Sequence, residues 1–141
     1  MERQSQSKIF LLQNNMKLRT PTEHDECVLL ASYLKAKQLK HTHIANETGY
    51  SSNKNWGLIN RRTHEGVSAG FPDYVIVIPK SKRNKGESVL VFLEMKRVKG
   101  SKTSPEQKEW IEALNQVMNV QGYIAKGFYE ARDIIEKILI I

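Results

Sequence analysis

The apolar residues of this chain recur with two periods, and the periods predict its elements. From residue 23 onward, Cys27, Leu30, Ala31 and Leu34 return at helical spacing, with Glu23 one turn earlier on the same face. Thr22 stands where an N-cap belongs, Glu23, Asp25 and Glu26 fill the first turn, and Lys35 and Lys37 lie near the end. Residues 41–46 read as a short strand. Residues 47–70 are polar and read as a loop with one short helix at 56–62. The run Tyr74-Val75-Ile76-Val77-Ile78 is apolar and rich in β-branched residues, which predicts a strand buried on both faces. A second such strand covers 88–96, and the basic turn between them, residues 80–86, makes the two a hairpin.

Ser104-Pro105-Glu106-Gln107 places a cap residue, a first-turn proline and a capping-box glutamine in sequence, opening a helix. Its apolar stripe is Trp110, Ile111, Leu114, Val117 and Met118. Residues 122–126 form a short strand and 130–139 a last helix, with Ile134, Ile135, Ile138 and Leu139 turned inward. This order of elements predicts an α/β fold, a mixed central sheet flanked by helices. Residues 1–20, in which Gln, Ser and Asn dilute one apolar patch, read as a loosely held arm, and residues 21–141 as a single domain.

The length of 141 residues suits one domain, and 40% hydrophobic with 26% charged residues is ordinary for a globular chain. The first 20 residues are broken by Arg3, Lys8, Asn14, Asn15, Lys17 and Arg19, without an apolar run for a signal peptide or membrane span. A cytoplasmic setting (bacterial, or a phage-infected host) is therefore expected. Cys27 is the single cysteine, which excludes an internal disulfide and reads as a small core residue rather than a reactive thiol. The net charge of +7 favours a polyanionic partner, nucleic acid above all.

Both apolar strands carry charges where buried strands rarely do. Asp73 enters the first directly after Pro72, and Glu94 and Lys96 close the second. Residues two apart on a strand share a face, so Glu94 and Lys96 project together, and a paired strand brings Asp73 near them. Buried charges without partners cost several kcal/mol, so either a salt bridge or a metal site must compensate them. Two carboxylates with water and a phosphate suit Mg²⁺, which prefers oxygen ligands. Lys96 would then orient the attacking water or stabilise the transition state.

Pro72-Asp73 followed by Glu94-Met95-Lys96 resembles the PD-(D/E)xK nuclease signature. The surrounding segments Glu65-Gly66-Val67-Ser68-Ala69-Gly70-Phe71-Pro72-Asp73, Phe92-Leu93-Glu94-Met95-Lys96 and Thr103-Ser104-Pro105-Glu106-Gln107-Lys108-Glu109-Trp110 together resemble the virus-type replication-repair nuclease (VRR-NUC) domain. That family occurs alone in phages and bacteria and fused to larger eukaryotic DNA-repair nucleases. The resemblance implies a restriction-endonuclease-like core and a Mg²⁺ or Mn²⁺ ion held by Asp73, Glu94 and the main-chain carbonyl of Met95. Lys96 matches the catalytic lysine. A glutamate of the first helix completes the acidic cluster in the family, here Glu23, with Glu26, about 300° around the helix, as the alternative. Many members have glutamine four residues after that glutamate, where this chain has Cys27. Gln107 matches the glutamine that follows the catalytic lysine, or else it only bonds back to Ser104 as a capping-box side chain.

Arg61, Arg62, Lys80, Lys82, Arg83, Lys85, Arg97, Lys99 and Lys102 bracket the acidic strands in sequence and are candidates for phosphate contacts or solvated loops. Gly100 allows backbone to approach substrate closely. His41, His43 and His64 lack metal-ligand spacing. Asn46 and Glu47 either approach the site from the strand end or serve the loop, the loop being the simpler role. Tyr50 and Trp56 are candidates to stack on bases, packing being the simpler role for Trp56. Three readings of function stand: a dimeric endonuclease acting on branched DNA such as a Holliday junction, a flap- or end-directed DNA nuclease with the same site, and a binding module without turnover. The terminal Ile138-Leu139-Ile140-Ile141 serves either a dimer surface or the core.

Overall fold

The computed structural model describes residues 20–44 and 56–141. The expected N-terminal arm, and Asn46, Glu47, Tyr50 and the Trp56 side chain, lie outside the described residues. Helix α1 (Glu23–Ala36) begins as its sequence predicts. Thr22 Oγ1 accepts from the Asp25 amide at 3.2 Å, and Asp25 Oδ2 accepts from the Thr22 amide at 2.7 Å, a closed capping box.

Strands β1 (Lys40–His43), β2 (Tyr74–Ile78), β3 (Val89–Lys96) and β4 (Val120–Lys126) form one sheet in the order β1-β2-β3-β4. The β1–β2 and β2–β3 pairs are antiparallel, so the expected hairpin is present, with Tyr74 opposite Leu93 and Ile78 opposite Val89. The β3–β4 pair is parallel, and helix α3 (Pro105–Leu114) makes the crossover that a parallel pair requires. Helix α2 (Trp56–His64) stands in the long connection before β2, and helix α4 (Gly127–Ile140) closes the described fold.

Burial corrects several details of the pattern. The buried face of α1 is Glu26, Leu29, Leu30, Tyr33 and Leu34, whereas Cys27 and Ala31 are half-buried on its flank and Glu23 is exposed. The reason is a second neighbour: α1 packs against α4 as well as the sheet, with Tyr33 edge-on to Phe128 at 5.9 Å and its hydroxyl on Glu136 at 2.6 Å. Strand β2 is buried on one face only, Val77 being 40% exposed, because α3 covers β4 and β3 and leaves β2 beside it uncovered. Val117 and Met118 are exposed too. Helix α3 ends at Leu114, so these two stand in the following turn and not on the helix stripe. At the C-terminus Ile138 is core while Ile140 and Ile141 are exposed.

Helix α4 starts three residues before the expected 130. Gly127, at φ +80°, turns the chain directly out of β4, and a Cβ there would lie 2.6 Å from Val98 Cγ2. The first amide of that helix after the glycine is satisfied by a carboxylate from elsewhere. Phe128 N–H donates to Glu26 Oε2 at 2.6 Å, and Glu26 is buried. A negative group at a helix N-terminus also meets the positive end of its dipole. Glu26→Ala, which leaves a buried amide without its acceptor, is expected to lower stability by on the order of 2 kcal/mol. The check is a lower urea midpoint with an unchanged m-value, and Glu26→Gln, which keeps an acceptor, should lose less.

Candidate active site

Asp73, Glu94 and Lys96 come together at one end of the sheet, on the face covered by α3. Residue 73 precedes β2, and the pairing of Tyr74 with Leu93 sets Asp73 beside Glu94. Asp73 Oδ2 accepts from the Met95 amide at 2.8 Å. Glu94 is almost fully buried, and its Oε1 lies 2.8 Å from Lys96 Nζ, whose side chain is 12% exposed. The same Oε1 accepts from Gln107 Nε2. Gln107 Oε1 in turn accepts from the Ser104 amide at 2.9 Å, and Ser104 Oγ accepts from the Gln107 amide at 3.2 Å. The Gln107 side chain closes the capping box of α3 and, with its other end, bonds to Glu94.

The loop that delivers Asp73 is held by α3. Gly70, at φ +86°, lies so close that an added Cβ would stand 2.6 Å from the Glu106 carbonyl carbon. Trp110 Nε1 donates to the Ala69 carbonyl at 3.1 Å. Phe71 packs edge-on against Trp110 at 4.8 Å and Phe92 at 5.6 Å. Thus the segment around Pro72-Asp73 and the segment around Ser104–Trp110 are two halves of one support, which positions the acids on β2 and β3.

The electrostatics fit a place for a cation. Burial raises the Asp73 carboxyl above its ordinary value, against the Met95 amide, His43 and Lys96, which lower it. Burial pushes Glu94 up to about 7, the nearby charge of Asp73 adding to it and Lys96 opposing. One buried and one half-buried carboxylate face one ammonium, so the cluster in its ionised form is short of positive charge. An oxygen-rich donor set of this kind suits a hard divalent ion. Met95 has a fully buried side chain, and only its main chain reaches the site.

Of the first-helix acids, Glu26 is taken up by the start of α4, and Glu23 remains at the exposed end of α1, where its charge still acts on Glu94. Among the described residues, no three His, Cys, Asp or Glu side chains converge as metal ligands, so Glu23 does not close on Asp73 and Glu94. Cys27 is no reactive thiol: burial, and then the charge of Asp73, raise it to about 12.

The basic turn does not bracket the acids in space. β2 and β3 run from the acidic end to the opposite one, a distance of roughly 25 Å for the eight residues of β3. There Arg83 Nε donates to the Ile138 carbonyl at 3.1 Å, the Asn84 amide to Leu139 O at 3.0 Å, and Lys80 pairs with Glu87 at 2.8 Å. Lys80, Lys82, Arg83 and Lys85 thus sit at the far end, where Arg83 and Asn84 hold the C-terminus of α4. Arg97, Lys99 and Lys102 follow β3 at the acidic end, all exposed, and Arg61 pairs with Glu65 at 2.9 Å. One residue near the site has no motif to mark it. His43 pairs with Tyr74 across β1–β2, its ring edge-on at 5.0 Å, and acts on Asp73. Only the strand register, which the sequence did not supply, brings it there.

A four-stranded mixed sheet between helices, with a Pro-Asp and a Glu-x-Lys meeting at its end, is the restriction-endonuclease-like fold of the PD-(D/E)xK nucleases. The family model of the VRR-NUC domain matches residues 13–128, and the chain belongs to that family. A solved structure described as "VRR_NUC domain protein" superposes with a TM-score of 0.60 at 22% identity, over 85% of this chain and 89% of that one. No curated protein matches the chain.

Proposed function

We propose that this VRR-NUC domain is a divalent-metal-dependent endonuclease that hydrolyses phosphodiester bonds of DNA, with selectivity for branched structures. The observation that supports it most is the convergence of Asp73, Glu94, Lys96 and Gln107 at one sheet end, with both carboxyls raised by burial. A pure binding module would meet a polyanion with basic residues and would gain nothing from buried acids. Asp73, Glu94 and the Met95 main-chain carbonyl would hold a Mg²⁺ or Mn²⁺ ion, with the charge of Glu23 acting on the cluster from the start of α1. When bound, the ion supplies a lowered water pKa and neutralises charge on the phosphate.

The chain's own groups do the rest. The Met95 amide fixes Asp73, and Gln107 fixes Glu94. Lys96 Nζ, held against Glu94 Oε1, orients the water whose oxygen forms the new bond to phosphorus as the ester P–O bond breaks. Its charge also offsets the negative charge that builds on the phosphate oxygens. Arg97, Lys99 and Lys102 meet neighbouring phosphates, which makes binding fall steeply with salt.

The test is a panel of labelled substrates: four-way junction, 5′ flap, single-stranded DNA, linear duplex and an RNA duplex. Each is incubated with Mg²⁺, with Mn²⁺ and with EDTA, using the wild-type protein and Lys96→Ala. Metal-dependent cleavage of junction or flap in preference to linear duplex is expected. Paired symmetric nicks in the junction would establish a homodimer acting on two strands. Cleavage that survives EDTA would overturn the metal, and salt-sensitive binding without any cleavage would leave the binding module.

A further inference from the structure

A groove opens on the other face of the sheet, at the same end as Asp73. It has a volume of about 370 Å³ and is lined by Glu23, His24, Cys27, Val28, Ala31, His43 and Tyr74. That volume is near the lower end of the roughly 300–1,000 Å³ found for small-ligand pockets, enough for one nucleoside. The floor is apolar: Cys27, Val28 and Ala31 on α1 form it. Its wall is the His43 imidazole, exposed and set edge-on to Tyr74 at 5.0 Å. The Tyr74 hydroxyl, which donates to the Cys27 carbonyl at 3.1 Å, fixes the tyrosine in place.

We propose that this groove receives the unpaired base of the nucleotide next to the scissile phosphate, stacked on His43. The inference rests on the nuclease reading above and names what the site selects. The lining argues for a base rather than a phosphate, because among the described residues no Lys or Arg lines the groove, and Glu23 would repel an anion. Its position argues for the flanking nucleotide, because the groove opens at the acidic end of the sheet: Tyr74 in its lining directly follows Asp73, the β1–β2 register sets His43 opposite Tyr74, and Asp73 acts electrostatically on both Cys27 and His43. A base held there has left its duplex partner. Substrates whose base is already unpaired, at a junction or flap, would therefore enter most easily, since they avoid the unpairing energy. Aromatic stacking of a base is sequence-tolerant, so the groove reads strand structure rather than sequence.

The experiment is a double-mutant cycle between protein and DNA. Wild type, His43→Ala and His43→Phe are assayed on a flap substrate, intact or abasic at the nucleotide beside the cleavage position. His43→Ala is expected to lower kcat/KM about ten-fold on the intact flap, as is the abasic change for wild type, and the two together should lose no more than either alone. His43→Phe, which keeps a stacking ring, should stay near wild type. Wild-type cleavage indifferent to the abasic change, or penalties that multiply, would overturn the groove assignment while leaving the nuclease intact. In parallel, 2-aminopurine at the same position is titrated with protein in Ca²⁺. Quenching by wild type and not by His43→Ala is expected, and equal quenching by both would overturn the proposal even if no substrate is cleaved. Absence of cleavage throughout would instead overturn the nuclease reading alone.

Discussion

Lys96→Ala is expected to slow DNA cleavage by about 10²–10⁴-fold, the range for a group that positions or transfers a proton in a transition state. On the proposed mechanism the loss should fall on kcat, because Lys96 Nζ is 2.8 Å from Glu94 Oε1 and nearly buried, away from the exposed cations that would meet the length of the DNA. Binding measured in Ca²⁺ should therefore change by only a few-fold, whereas truncating Arg97, Lys99 and Lys102 should weaken binding and its salt dependence with kcat retained. Folding should survive: without the ammonium, Glu94 keeps the Gln107 amide and can take up a proton. Lys96→Arg should not rescue, since the planar guanidinium cannot stand in for a compact ammonium in so closed a place. A Lys96→Ala variant that cuts within ten-fold of wild type would remove the lysine from the mechanism.

The elements that were legible in the sequence are those whose signals are local. Thr22 and Ser104 announced the two capped helices because a cap acts over three residues; the Ser104–Gln107 capping box closes as expected, and the structure adds one between Thr22 and Asp25. The hairpin was legible because its strands are joined by one turn. The acidic pair and the lysine were legible because charges at the ends of apolar strands have few structural uses. What stayed hidden depends on neighbours distant in sequence. Glu26 and Glu23 differ by three positions on one helix, and nothing local says that the start of α4, a hundred residues on, takes the first. The single buried face of β2 follows from where α3 crosses, and His43 follows from the β1 register. The basic turn misled for a simple reason: adjacency in sequence to an acidic strand puts a residue at one end of that strand, and the turn is at the other.

The supporting residues show why the site and the fold are hard to separate. Gln107 ends one network and begins another, holding its own helix N-terminus with Oε1 and Glu94 with Nε2. Gly70, Phe71 and Trp110 fix the Asp73 loop onto the same helix turn. Helix α3 thus touches the support of both carboxylates, while the Met95 amide on β3 ties Asp73 to the strand that carries Glu94.

The second large effect concerns stability. In EDTA at pH 8, Glu94→Gln is expected to be more stable than wild type by on the order of 2 kcal/mol. Burial raises the folded-state Glu94 carboxyl from 4.5 to about 7, even with Lys96 opposing. A group raised in this way contributes stability that is full below its unfolded value and is lost as pH rises through its folded value. Wild type should therefore weaken between about pH 4.5 and 7, and the glutamine variant, which keeps only the raised carboxyl of Asp73, should weaken less. The advantage of the variant should vanish near pH 4.5, where wild-type Glu94 is itself neutral. Metal reverses the order. A ligand that binds only the folded state stabilises it by about 2.7 kcal/mol at a hundred times its Kd, and wild type should gain this from Mn²⁺ while Glu94→Gln gains little. Urea midpoints across pH 4–9, with EDTA and with Mn²⁺, separate the outcomes. A glutamine variant less stable than wild type in EDTA at pH 8 would mean that Lys96 and Gln107 fully compensate the charge of Glu94. The cluster would then be a structural ion pair with no deficit for a cation to fill.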